Sequence, residues 1–281
     1  MRELGTETVT DHVARLFVEA NTLLGDDIVS TFRSCLKSEM SPTGRDVFAQ
    51  LLENADLARE SGVPLCQDTG LAVVFLEIGQ DLHLVGGDLY AAVHDGVRAG
   101  CAEGYLRASV VSPPVGARVN TGDNAPAIIH TTIVPGDRLR IIVAPKGGGS
   151  ENTSAVRMLR PADGREGVKQ FVLETVAKAG PNPCPPIVVG VGIGGTFELC
   201  ALLAKKALLR RLGETHPDPD FAALEKEILE GVNRLGIGPA GLGGSVTALA
   251  VHVETHPCHI ASLPVAVNIN CHSHRHLEVL L

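Results

Sequence analysis

Residues 187–214 read IVVGVGIGGTFELCALLAKKALLRRLGE, and the fold turns on what the glycines at the start of this stretch are for. Ile187 to Val191 is an apolar, β-branched run of the kind that forms a strand buried on both faces. FELCALLAKKALLRRLGE repeats its apolar residues at helical spacing and carries Lys and Arg near its end, where they complement the helix dipole. Between them, Gly190, Gly192 and Gly195 match G-x-G-x-x-G, the turn that cradles a dinucleotide. That turn requires a second strand with an acidic residue roughly 20 positions on. Here the helix runs into His216-Pro-Asp-Pro-Asp-Phe221 and then another helical pattern, FAALEKEILEGVNRLG. The glycines are therefore read as close helix-on-strand packing, with a nicotinamide-dependent dehydrogenase as the alternative.

On the N-terminal side, apolar residues recur at three- and four-residue spacing from Thr8 to about Lys37 and again from about Gly44 to Ser61. This predicts a helical region over about 1–61, closed by Gly62 and Pro64. LAVVFLEI (71–78) reads as a strand and 84–104 as a loop and amphipathic helix. AIIHTTIVPGDRLRIIVAPK (127–146) reads as two strands joined in a hairpin by Pro135-Gly136-Asp137. Residues 165–179 look helical, 245–255 and 263–270 alternate as strands, and no linker or repeat marks a boundary. The expected fold class is mixed α/β, with a helical N-terminal region followed by mixed or antiparallel sheets flanked by helices, in one domain over 1–281.

With 281 residues, 44% of them hydrophobic, the chain can bury a large core. A net charge of -8, 3% aromatics and no Trp remove the basic stripe and stacking platforms of a nucleic-acid binder. The longest apolar runs fall short of the ~20 residues of a membrane helix, and the first residues do not resemble a secretory signal, so a cytoplasmic protein is expected. Seven cysteines, an odd number, fit a disulfide framework poorly.

Polar and glycine residues concentrate in loops that adjoin apolar elements: PLCQDTG (64–70), LRASVVS (106–112), NTGDNAPAIIH (120–130), PKGGGSENTS (145–154), PNPCPP (181–186) and NINCHSHRH (268–276). The three glycines after Lys146 suit positive φ values and an anion-binding nest. Cys35, Cys101 and Cys200 fall in helical patterns as small hydrophobes, whereas Cys66, Cys184 and Cys271 stand in loops, with Cys258 between the two classes. Wide spacing rules out a zinc ribbon; a structural zinc site among Cys258, His259, Cys271, His272, His274 and His276 stays open on composition alone. Three loop thiolates also suit a [4Fe-4S] cluster with one iron not ligated by protein, an open Lewis acid where an electron-transfer cluster has a fourth cysteine.

Taken together, PLCQDTG, GYLRASVVS, NTGDNAPAIIH, KGGGSEN, PNPCPPIVVGVGIGGT, LAKKALLRRLG and NINCHSHRH resemble, in order and over nearly the whole chain, the α region of the iron-sulfur hydro-lyases, the class I fumarases and L-tartrate dehydratases. The resemblance implies Cys66, Cys184 and Cys271 as the ligands of a [4Fe-4S] cluster. It implies Asp68 in an acid/base or orienting role, with Gln67, Arg107, Gly149 and His259 facing a dicarboxylate substrate; Arg107 suits either a substrate carboxylate or paired bonds to Asp68. Single-chain members continue into a β domain, so the resemblance further implies an α subunit that works with a β subunit, as an α2β2 heterotetramer. The expected activity is hydration of fumarate to malate, with dehydration of L-tartrate as the alternative.

Overall fold

The computed structural model describes residues 2–281, which pack as two compact units. The first comprises residues up to Leu24, Ala55–Gly148 and Arg275–Leu281; the second comprises Gly25–Asn54 and Gly149–His274. Helices and mixed sheets alternate in both, so the fold class is mixed α/β, as the sequence predicts. The N-terminal region is helical over Thr6–Thr22, Asp26–Ser38 and Pro42–Ser61, preceded by a short strand, Arg2–Gly5, that pairs in parallel with Leu82–Val85.

In the first unit a four-stranded sheet runs in the order Leu277–Leu280, Leu139–Lys146, Leu71–Gly79, Ile128–Val134. The predicted hairpin of 127–146 does not form. Leu71–Gly79 lies between the two strands, parallel to Ile128–Val134 and antiparallel to Leu139–Lys146. Burial explains the exchange: Leu71–Gly79 is buried at most positions and takes a central place, whereas Ile128–Val134 leaves Ile128 and Ile133 exposed and takes an edge. The Pro135–Arg138 connection then crosses the end of the central strand, where the Gly79 N–H donates to the Arg138 carbonyl at 2.7 Å and the Gln80 N–H to that of Val134 at 2.8 Å. A Cβ on Gly79 would stand 2.5 Å from the Gly136 carbonyl oxygen, so only glycine fits the crossing. Helices Thr6–Thr22 and Leu89–Glu103 cover the sheet through Val9, Val13, Phe17, Val93 and Val97. They approach closely where Gly96 and Gly100 face Thr10 and Ala14.

In the second unit the order is Ala248–His256, Ile187–Gly194, Leu263–Asn270, Ala155–Leu159. Ile187–Gly194 is buried throughout, parallel to the first of these strands and antiparallel to Leu263–Asn270. Its alternation sends Val189, Val191 and Ile193 into a core shared with Phe171, Val172, Leu224 and Ile228 of helices Gly164–Ala179 and Pro219–Asn233. On the opposite face a Cβ at Gly190 would lie 2.1 Å from the Ala204 carbonyl oxygen, and one at Gly192 would lie 2.0 Å from that of Cys200, because helix Phe197–Ala207 rests directly on the strand. The glycine pattern is therefore consumed by packing, and the dinucleotide alternative loses its turn. This helix is shorter than predicted: Arg210 lies beyond its end and pairs with the buried Glu225, whose Oε1 also accepts the Val253 N–H at 2.7 Å.

Candidate functional site

Cys66 is half-buried in the loop that follows the helix ending at Ser61, and the residues after it are fixed by a dense set of bonds. Asp68 Oδ1 accepts the Gly70 N–H at 3.0 Å and the Ser109 hydroxyl at 3.4 Å, while Oδ2 accepts the Gly148 N–H at 2.8 Å. Asn124, fully buried and with φ of 59°, donates to the Gly70 carbonyl at 3.0 Å and accepts the Ser109 N–H at 2.8 Å. It thereby ties PLCQDTG to LRASVVS. Arg275 Nη2 donates to the carbonyls of Asp68 at 2.5 Å and Thr69 at 3.3 Å. Gln67 and Arg107 are exposed. The expected alternative in which Arg107 holds Asp68 is not what forms: backbone N–H groups and Ser109 satisfy that carboxylate, leaving the Arg107 guanidinium open.

The glycines after Lys146 depart from prediction as well. Gly148–Glu151 is a single right-handed helical turn rather than a positive-φ nest, because Asp68 receives its first N–H as a capping carboxylate does. At the end of this turn Glu151 meets Lys205 Nζ at 2.6 Å and accepts from Asn268 Nδ2 at 3.0 Å, and Asn268 also bonds Ser154 Oγ at 3.1 Å. Lys205 and Asn268 thus anchor the segment carrying Gly149 to the second unit's sheet and helix.

Cys184 is exposed and adopts φ of 54°, a left-handed conformation that costs a non-glycine residue energy and recurs at functional positions. Its carbonyl accepts both the His272 N–H at 3.2 Å and the His272 ring Nδ1–H at 3.1 Å. PNPCPP is therefore joined to the residue next to Cys271. His259 is exposed in the loop after His256, where its Nδ1 accepts the Ala261 N–H at 3.1 Å, a bond within its own loop.

None of the seven cysteines is in a disulfide. Burial raises the thiols of Cys35, to about 11, and of Cys101 and Cys200, which keeps them protonated and unsuited to metal. Cys66 and Cys271 are half-buried and Cys184 and Cys258 exposed, so the three thiols that the resemblance assigns to iron are among the accessible ones. The donor set fits an iron-sulfur group: accessible thiols on loops whose backbones are held by hydrogen bonds to other elements. Among the described residues no three His, Cys, Asp or Glu side chains gather as a single-ion site. Asn124, Ser109, Lys205, Asn268 and Arg275 were not singled out from sequence. Their signal lay in their motifs, above all a turn-tolerant Asn within NTGDNAP, but their partners are tertiary.

A family model described as Fumarate hydratase (Fumerase) matches residues 10–280. A protein of Methanocaldococcus jannaschii, provisionally named L(+)-tartrate dehydratase subunit alpha, is 46% identical over 95% of each chain. The L(+)-tartrate dehydratase subunit alpha of Escherichia coli strain UTI89 is 34% identical over 98% of this chain and 91% of its own. That of strain K12 is 33% identical over 100% and 93%. No described helix is long and apolar enough to cross a membrane.

Proposed function

The chain belongs to the Fumerase (fumarate hydratase) family of hydro-lyases, and from that premise we propose that it is the α subunit of an L(+)-tartrate dehydratase. The sequence reading put fumarate first and tartrate second. The relatives reverse that order: the family model speaks for fumarate only at family level, whereas near-full-length relatives are named for tartrate. This match over 95% of each chain is the observation that carries the proposal. The reaction removes one hydroxyl and the hydrogen on the neighbouring carbon of a 2,3-dihydroxy dicarboxylate as water, leaving an enol that becomes a 2-oxo dicarboxylate.

Cys66, Cys184 and Cys271 would hold a [4Fe-4S] group. When bound, it supplies an iron without a protein ligand that acts as a Lewis acid toward the departing hydroxyl. The chain's own residues bind and orient the substrate. Asp68, held through both oxygens by Gly70, Ser109 and Gly148, keeps a fixed carboxylate beside Cys66 and acts as an orienting or acid/base group. Arg107 presents a planar fork to one substrate carboxylate. Gly149, whose segment is anchored by Glu151 to Lys205 and Asn268, offers a backbone N–H, and His259 a ring donor. A β subunit supplies the remaining substrate contacts and base, in an α2β2 assembly in the cytoplasm.

Anaerobic co-expression with the β subunit, followed by assays on both tartrate enantiomers, fumarate and mesaconate, tests the proposal. L(+)-tartrate is expected to give the highest kcat/KM. A higher value on fumarate would return the assignment to fumarate hydratase, and activity on none of the four would undo it.

A further inference from the structure

Arg275 is 3% exposed, and among the described residues only its Nη2 has partners, the carbonyls of Asp68 and Thr69, while Nε and Nη1 are buried with no acceptor. Thr69 Oγ1, 1% exposed and on the same loop, is also buried without a partner. A guanidinium keeps its charge in proteins, and a buried charge without a counter-charge is among the least favourable arrangements a fold retains. Among the described residues no carboxylate is bonded to it. The nearby Asp68 carboxylate is instead taken by Gly70, Ser109 and Gly148. The loop that Arg275 grips contains Cys66, two residues before Asp68. Arg275 is thus a buried cation on the Cys66 loop with two nitrogens that have no acceptor among the described residues.

We propose that Arg275 is a positioning residue that fixes the Cys66–Gly70 loop and supplies the buried positive charge offsetting the anionic, thiolate-ligated iron-sulfur group bound at Cys66. The inference rests on the cluster reading given above. A positive charge held near such a group favours its reduced, more negative form, so its removal lowers the reduction potential, an effect that a purely structural residue does not have.

The test uses the anaerobic αβ holoenzyme, wild type and Arg275→Gln, with three readouts: iron and sulfide content, the midpoint potential from an EPR-monitored titration, and KM for L(+)-tartrate. The wild type is expected to carry iron and sulfide. Arg275→Gln is expected to shift the reduction equilibrium at least tenfold toward the oxidised form, about 59 mV for one electron. If Arg275→Gln does not accumulate as a folded, loaded protein, Arg275→Lys carries the test, because it keeps the charge and is expected to stay within threefold of the wild-type equilibrium. An unchanged potential in loaded Arg275→Gln, a raised KM alone, or a tenfold shift in Arg275→Lys would overturn the inference. A wild type without iron and sulfide would overturn the cluster reading itself.

Discussion

Glu39 is a carboxylate of the second unit that is only 2% exposed. Its Oε1 accepts the N–H groups of Ser41 at 2.8 Å and Ser245 at 2.9 Å, and its Oε2 those of Ser245 at 3.0 Å and Val246 at 2.8 Å. It thus fastens the glycine-rich segment before strand Ala248–His256 to the turn between helices Asp26–Ser38 and Pro42–Ser61. Burial alone would raise its pKa, but the N–H donors of Ser245, Ser41 and Val246 outweigh burial and hold the carboxyl below its ordinary value. Glu39→Gln keeps the shape, removes the charge and replaces one accepting oxygen with a donor that faces another N–H. Hydrogen bonds to a charged acceptor contribute about 1.5–3 kcal/mol each, and one oxygen survives the change, so a loss of about 2–4 kcal/mol is expected. Urea unfolding followed by circular dichroism measures it. Because the folded pKa is depressed, the contribution of the charge is complete above the unfolded carboxyl pKa of about 4.3 and disappears as pH falls through the folded value. The gap between wild type and variant is therefore expected to be flat from pH 8 to 6 and to narrow below about pH 4. A gap under about 0.5 kcal/mol at pH 7, or one that stays constant to pH 2, would refute the reasoning.

Two further substitutions separate packing from function. Gly192→Ala places a Cβ 2.0 Å from the Cys200 carbonyl oxygen and 2.5 Å from the Ala204 nitrogen, both backbone atoms, so a loss of about 3 kcal/mol or failure to fold is expected in thermal unfolding, and a variant with wild-type Tm would reopen the dinucleotide reading. Lys205→Met releases Glu151, whose side chain and that of Lys205 are 34% and 18% exposed, and is expected to lower kcat/KM at least tenfold with a Tm within a few degrees of wild type. Unchanged kinetics would show that the Gly149 segment needs no such anchor.

What the sequence could and could not convey follows from where each signal resides. Gly190 and Gly192 were legible as packing residues because the second strand that a dinucleotide turn requires is missing, the helix running instead into HPDPDF and another helical pattern, and the close approach of Cys200 and Ala204 agrees. The false hairpin arose because Pro135-Gly136-Asp137 signals a turn without saying which strand lies beyond it; the burial of Leu71–Gly79, a competition among three strands, decided that. At the candidate site, residue type and order sufficed to single out PLCQDTG and PNPCPP. The partners of Asp68 were not legible, since two of its three donors are backbone N–H groups, identical in every non-proline residue. Arg275 and Asn124 sat within recognised motifs, but burial, not identity, gives them their roles.

The most direct test of the account is elemental analysis of the anaerobically purified αβ protein, wild type beside Cys184→Ser. The account predicts about four iron and four sulfide per α chain, with the brown absorbance of a [4Fe-4S] group, and loss of iron, colour and turnover in the variant. A wild-type protein holding stoichiometric zinc and no sulfide, or a Cys184→Ser protein that keeps both cluster and activity, would contradict it.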